Sequence, residues 1–199
     1  MKKLILGSTS VYRKELMLKL GIPFETVKPS CDEEALKKTF LAEGKSPLRV
    51  AESLAFEKAA SLNNKFKSAV VIGGDQLVDF DGHIIGKSKT FEKAKEQLQA
   101  MAGRTHNLIT SIAILNEDKK HILNHISKMK MKKLTSTEIE NYLRLDLPFD
   151  CAGSYKIERS GICLFDKIET DDFSAIQGMP MMWVSQKLKE LGYELFTNE

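Results

Sequence analysis

The stretch LILGSTSVYRKELM, residues 4–17, sets the reading of the chain. Leu4-Ile5-Leu6 form a short apolar run of strand character. Gly7-Ser8-Thr9-Ser10 break it, and a helical pattern starts at Val11. Ser10 is a good N-cap, and Leu16, Leu18 and Leu20 supply apolar surface for the helix it opens. Arg13 is oddly placed, because the N-terminal end of a helix carries partial positive charge and prefers anions. A cation there makes sense when an anionic ligand lies between it and the helix. Exposed N–H groups, hydroxyls and a guanidinium together describe a phosphate site. The plain alternative is a capped strand–helix junction with Tyr12 and Arg13 as surface residues.

Outward from this junction, strand-like and helix-like segments alternate. FETVKP reads as a second short strand after a helix that stops at Gly21, ahead of Pro23. Residues 31–66 read as helical, broken at Gly44-Lys45-Ser46-Pro47, where Ser46 caps and Pro47 starts a new helix. SAVVIGGDQLVDF is a buried strand that turns at Asp81-Gly82 into HIIGK. Thr90 caps FEKAKEQLQAMAG. HNLITSIAIL and HILNHISKMKMKKL form a longer antiparallel pair across Asn116-Glu117-Asp118. TSTEIENYLRL carries a capping box, Thr135 with Glu138. GICLFDKIE is a strand and MPMMWVSQKLKELG the closing helix. The expectation is a mixed α/β fold with hairpins, without repeats, low-complexity tracts or an evident linker.

Composition narrows the function. With 199 residues, 42% hydrophobic and 29% charged, the chain suits one compact domain, two-lobed at most, of a soluble enzyme. A net charge of +3 is too small to argue for nucleic-acid or membrane binding. The apolar part of MKKLILGSTS is too short for a signal peptide, and no run approaches a membrane span. Cys31, Cys151 and Cys163 are odd in number and far apart, which disfavours a zinc site or a disulfide framework and points to a reducing cytoplasm. His121 and His125 have helical metal spacing inside a strand pattern and read as surface histidines.

Two residues stand in the wrong company. Asp75 lies in VVIGGDQLV between apolar neighbours, and an isolated carboxylate there costs several kcal/mol. It is either a structural ion-pair member or a catalytic or metal-binding aspartate, and Gly73-Gly74 leave the backbone bare for a ligand. Lys58 falls on the stripe Ala51, Leu54, Ala55, Leu62 of a helix. It either snorkels to water or points at an anion. Lys87 and the cluster Asp32-Glu33-Glu34 are weaker signals alone. With Asp75 and Arg13 they make a set of carboxylates for a hard cation and cations for phosphate oxygens. No Walker A or G-x-G-x-x-G pattern is present, which disfavours P-loop and dinucleotide folds.

Several ordered motifs then coincide: LILGSTSVYRKELM, CDEEA, AFEKA, GGDQLV, Gly86-Lys87, MAGRTHNLIT and CAGSYKIERSG. Together they span nearly the whole chain, which resembles the Maf family of nucleotide pyrophosphatases. Tyr12, the pair Asp75-Gln76 and CAGSYKIERSG look like the YceF-like branch, which hydrolyses 7-methyl-GTP. The branches acting on dTTP and UTP typically carry Arg in place of Tyr12 and Thr in place of Gln76.

The resemblance implies a single Maf-like domain over residues 1–199, a mixed central sheet with flanking helices and two lobes around a cleft, often dimeric. It implies Mg²⁺ or Mn²⁺ and cleavage between the α- and β-phosphates, giving a nucleoside monophosphate and pyrophosphate. By motif, Ser8 and Arg13 would hold phosphate, Glu33 and Asp75 would serve water and metal, and Lys58 and Lys87 would offset phosphate charge. Tyr12, Gln76 and Glu158 match the positions that set base preference. Val11 and Ser88 depart from the family's prolines, at backbone-shaping positions. The expected function is a cytoplasmic pyrophosphatase preferring 7-methyl-GTP. Its rivals are a dTTP- or UTP-directed enzyme and a non-catalytic nucleotide-binding regulator of cell division.

Overall fold

The computed structural model describes residues 2–63, 65–117 and 119–197, so Asp118 of the anticipated Asn116-Glu117-Asp118 turn lies outside the described residues. Among them a seven-stranded mixed sheet is flanked by helices, in the strand order β2-β1-β3-β5-β6-β7 with β4 paired to β3. The strands are β1 (Leu4–Gly7), β2 (Glu25–Val27), β3 (Val70–Phe80), β4 (His83–Ile85), β5 (Thr105–Asn116), β6 (Lys119–Met131) and β7 (Phe165–Glu169). The helices are α1 (Val11–Leu18), α2 (Glu33–Ala42), α3 (Pro47–Asn63), α4 (Phe91–Met101), α5 (Ser136–Asp146), α6 (Phe173–Ile176) and α7 (Met181–Glu190). No helix of the described residues is long and apolar enough to cross a membrane.

The chain forms two compact units. One comprises residues 1–75, 110–125 and 172–199, the other residues 76–109 and 126–171. In the first, β1 pairs in parallel with both β2 and β3. Parallel strands are covered on both faces and therefore read as continuous apolar runs. Leu4, Leu6, Val70 and Ile72 pack with Leu16, Met17, Ile112, Val184 and Leu188. The alternate residues Ile5 and Val71 pack with Ala55, Ala59 and Leu62 of α3. This period-2 alternation makes α3 one layer and α1 with α7 the other.

Local details correct the sequence reading in several places. Ser10 does cap α1, accepting from the Arg13 N–H at 3.4 Å. Met17 is fully buried, whereas Leu18 is 59% exposed, because at 100° per residue Leu16, Met17 and Leu20 share a face and Leu18 does not. Val11 stands at the first helical position, where proline is also at home, so its substitution leaves the helix start intact. Residues 161–164, expected as the start of a strand, fall in a 3₁₀ turn at Ser160–Leu164, and β7 begins only at Phe165. His121 and His125 lie half-buried on β6 rather than on the surface. The Asp81-Gly82 turn, the Thr90 cap and the Thr135–Glu138 capping box are as expected.

In the second unit, Gln97 organises the loops: its amide donates to the Gly86 carbonyl at 3.1 Å and its oxygen accepts from Ser154 Oγ at 2.6 Å. Lys87 pairs as an isolated bridge with Ala152, which brings CAGSY alongside Gly86-Lys87. Beneath lies an aromatic cluster of His106, Tyr155 and Phe165. His106 Nε2 sits 3.0 Å from Tyr155 Oη, and its Nδ1 has no hydrogen-bond partner among the described residues.

Burial lowers the His106 pKa from 6.5 to about 4. The unfolded chain therefore binds this proton more readily, so the contribution to stability is full above pH 6.5 and fades as pH falls toward 4. Between pH 7.5 and 4.5 it amounts to about 2–3 kcal/mol at 1.36 kcal/mol per pKa unit. Urea unfolding of wild type and His106→Gln at both pH values checks this: the variant's stability should depend less on pH. Parallel pH profiles would contradict it.

Candidate active site

The charged residues singled out in the sequence meet in the first unit. α3 carries Lys58 on its buried face, with Ala51, Leu54, Ala55, Ala59 and Leu62, and Lys58 is only 8% exposed. Its ammonium neither snorkels to water nor lies unpaired. It donates to Asp75 Oδ1 at 2.7 Å and pairs with Glu33 Oε2 at 2.9 Å. Asp75 is therefore an ion-pair member, its buried charge compensated by Lys58.

Gly73 and Gly74 make this meeting possible, each on its own face of β3. A Cβ on Gly73 would come within 2.3 Å of the Ala55 carbonyl and 2.6 Å of the Ala59 amide, so only glycine lets α3 lie close enough for Lys58 to reach Asp75. A Cβ on Gly74 would meet Ile112 Cδ1 at 2.8 Å and Arg13 Nε at 3.3 Å. The glycines expected to admit a ligand instead admit a helix and a guanidinium of this chain.

Arg13 is half-buried and its Nε donates to the Gly178 carbonyl at 2.9 Å. Burial lowers its pKa, against the pull of Asp75 and Glu33. A guanidinium remains protonated even so. Ser8 is buried at the end of β1, and its Oγ accepts from the Ser10 N–H at 3.1 Å, leaving the hydroxyl proton to donate. Tyr12 is half-buried in the first turn of α1.

Glu33 opens α2 behind the N-cap Asp32, whose carboxylate accepts from the Ala35 N–H at 3.0 Å. A carboxylate in the first turn suits the helix dipole. Its approach to Lys58 is secured by Ser61, which the sequence reading missed. Ser61 Oγ donates to the Lys58 carbonyl at 2.9 Å and accepts from the Ser30 N–H at 3.1 Å, tying the segment before α2 to α3. Nothing distinguishes such a serine in sequence from any other helical serine.

Burial raises the Asp75 pKa, with Glu33 adding to the rise and Lys58 and Arg13 opposing it. Cys31, adjacent to this group, has its thiol pushed up by burial against the pull of Lys58. Two carboxylates, Glu33 and Asp75, converge on one point now taken by the Lys58 ammonium. Among the described residues there is no group of three or more acidic, His or Cys side chains suited to a metal. Two carboxylates with the remaining ligands from phosphate and water is nonetheless the usual donor set for Mg²⁺ in phosphoryl chemistry.

The other anticipated residues belong to the second unit. Gln76 follows Asp75 on β3 and is half-buried, Lys87 is exposed beside its bridge to Ala152, and Glu158 is exposed. Ser88, at the second proline departure, is buried with its hydroxyl unpartnered among the described residues.

Comparison with known proteins places the chain in a family. The family described as Maf-like protein matches residues 3–191. A 7-methyl-GTP pyrophosphatase of Bdellovibrio bacteriovorus is 53% identical over 188 residues, covering 94% of this chain and 96% of the relative. Relatives of the same name from Xanthomonas axonopodis pv. citri and Polaromonas sp. are 40% and 39% identical, over 98% and 99% of this chain and 100% and 88% of their own lengths. The chain belongs to the Maf-like protein family.

Proposed function

We propose that the protein is a nucleoside-triphosphate pyrophosphatase that hydrolyses 7-methyl-GTP to 7-methyl-GMP and pyrophosphate. The observation that carries this is Lys58 held at 2.7 and 2.9 Å between Asp75 and Glu33, in the field of Arg13. A binding protein would need the cations but not a buried carboxylate among them. The shared name of relatives at 38–53% identity supports the choice of substrate.

In this reading Ser8 and Arg13 bind the triphosphate through a hydroxyl proton and the guanidinium fork. Asp75 is the general base: its raised pKa makes it a better proton acceptor, and it orients and deprotonates the water that attacks the α-phosphorus. The α–β bridging oxygen leaves with the pyrophosphate, whose growing charge Lys58 and Arg13 offset. Lys87 is assigned to the same task from the resemblance. Mg²⁺ or Mn²⁺ held by Glu33 and Asp75 would neutralise phosphate charge when bound. The work is that of a cytoplasmic enzyme clearing modified nucleotides from the pool, acting on no nucleic acid and at no membrane. A homodimer is part of this reading, and exposed Val11, Phe173 and Met182 give the first unit apolar surface for it.

A screen of 7-methyl-GTP, GTP, dTTP and UTP for pyrophosphate release with Mg²⁺ or Mn²⁺ tests the proposal. Preference for dTTP or UTP would reassign the substrate, and no release from any of them would favour a regulator of cell division. Asp75→Asn should lower kcat by about two orders of magnitude or more, the scale for losing a general base. Contrary to what an uncompensated charge would suggest, it should also lower Tm, because Lys58 loses its buried partner. Wild-type turnover in this variant would contradict the mechanism.

Base choice follows from charge. N7 methylation gives guanine a delocalised positive charge, so an aromatic face gains a cation–π contribution of about 0.5–2 kcal/mol that GTP lacks. Tyr12 is assigned to that ring, and the Glu158 carboxylate to the guanine N1–H and N2–H₂ donors. Tyr12→Leu should therefore lower kcat/KM for 7-methyl-GTP more than for GTP, and Glu158→Gln should lower both. Steady-state kinetics on the two nucleotides measures this. Equal losses in Tyr12→Leu would make Tyr12 a packing residue.

A further inference from the structure

The turn between α6 and α7 has no role in the reaction as described, yet it touches the guanidinium at its centre. Arg13 Nε donates to the Gly178 carbonyl at 2.9 Å, across 165 residues of sequence. Gly178 has φ +109°, a conformation that side-chain-bearing residues rarely adopt. A Cβ there would stand 3.5 Å from Arg13 Nε and 3.6 Å from its Cγ, so the turn lies directly against the side chain. On β3, Gly74 approaches it similarly, with Arg13 Nε and Cζ 3.3 and 3.5 Å from a Cβ placed there. Arg13 is thus bracketed by two glycines.

The turn itself is built to hold its shape. Asp172, 7% exposed, accepts from the Ser174 N–H and hydroxyl through Oδ1 and from the Met182 N–H at 2.8 Å through Oδ2. Ser174 Oγ in turn accepts from the Met181 N–H at 2.8 Å. Thr110 of β5, 1% exposed, donates to the Ala175 carbonyl at 2.9 Å and pins α6 to the sheet. The Gly178 N–H closes on the Ala175 carbonyl at 3.0 Å. A four-residue helix needs no such fastening for its own sake.

We propose that Gly178 is a positioning residue for Arg13, with the Asp172–Ser174 clasp fixing where its carbonyl points. Committing Nε to this carbonyl sets the plane of the guanidinium. Its two terminal nitrogens are then the donors for phosphate oxygens, as bidentate phosphate recognition requires. The inference rests on the reading of Arg13 as a phosphate ligand.

Calorimetric binding of inorganic pyrophosphate, with kcat and KM for 7-methyl-GTP alongside, tests it in wild type, Gly178→Ala, Ser174→Ala, Arg13→Lys and the doubles of Arg13→Lys with each of the first two. Gly178→Ala should weaken pyrophosphate about tenfold, the scale of one charge-assisted hydrogen bond, and Ser174→Ala should weaken it less. In the Arg13→Lys background, where no Nε remains, neither should weaken it further. Effects that multiply in the doubles, or folded Gly178→Ala with wild-type binding, would overturn the proposal. If Gly178→Ala does not fold, the Ser174→Ala cycle decides alone. Pyrophosphate binding reads the positioning even if no nucleotide is turned over, so failure of the substrate assignment remains distinguishable. Wild type that does not bind pyrophosphate would overturn both.

Discussion

A lysine and an aspartate buried against each other, 2.7 Å apart between α3 and β3, are the constraint around which the first unit is arranged. Neither charge could be buried alone without a penalty of several kcal/mol. The pair sits between α3 and the parallel strands, where Ile5 and Val71 pack against the small side chains Ala55 and Ala59 of the helix. Such packing brings α3 close, and the bare backbone of Gly73 brings it close enough. Helix approach, glycine and ion pair are one device.

Buried ion pairs seldom stabilise a fold beyond what well-packed apolar residues would. Retaining one here makes sense if the charges serve chemistry. Glu33 adds a second carboxylate from the solvent side, 52% exposed at its side chain, so the ammonium faces a buried anion and an accessible one. Arg13 adds a second cation from the opposite face of β3. The group is balanced without substrate, and a triphosphate offers its two cations new partners. That balance explains how so many charges persist in a small volume before a nucleotide arrives.

What was legible in the sequence was legible as a misfit. Arg13 at the wrong end of a helix, Lys58 on an apolar stripe and Asp75 in a strand core each broke a local rule, and three broken rules pointed to one place. β1 and β3 are visible as strands in their apolar runs, though their parallel pairing is not. What stayed hidden depends on long-range contact. Gly178 looks like an ordinary helix-preceding glycine until its carbonyl is found on Arg13, and Ser61 like any helical serine. The 3₁₀ turn at Ser160–Leu164 reads as strand from Gly161 on because its Ile-Cys-Leu is apolar, and a short apolar run has no period to distinguish the two. Gly73 and Gly74 stand out in the sequence as bare backbone, but sequence alone does not show that α3 and Arg13 fill the space a Cβ would take.

The most direct measurement is a double-mutant cycle on unfolding free energy with Lys58→Met, Asp75→Asn and the double variant. Lys58→Met alone should destabilise by about 3–5 kcal/mol, because it leaves Asp75 buried and uncompensated. Adding Asp75→Asn should restore most of that stability, a coupling of at least about 2 kcal/mol, while pyrophosphate release stays lost. Additive losses, or an active double variant, would contradict the claim that this pair both organises the site and is kept for its chemistry.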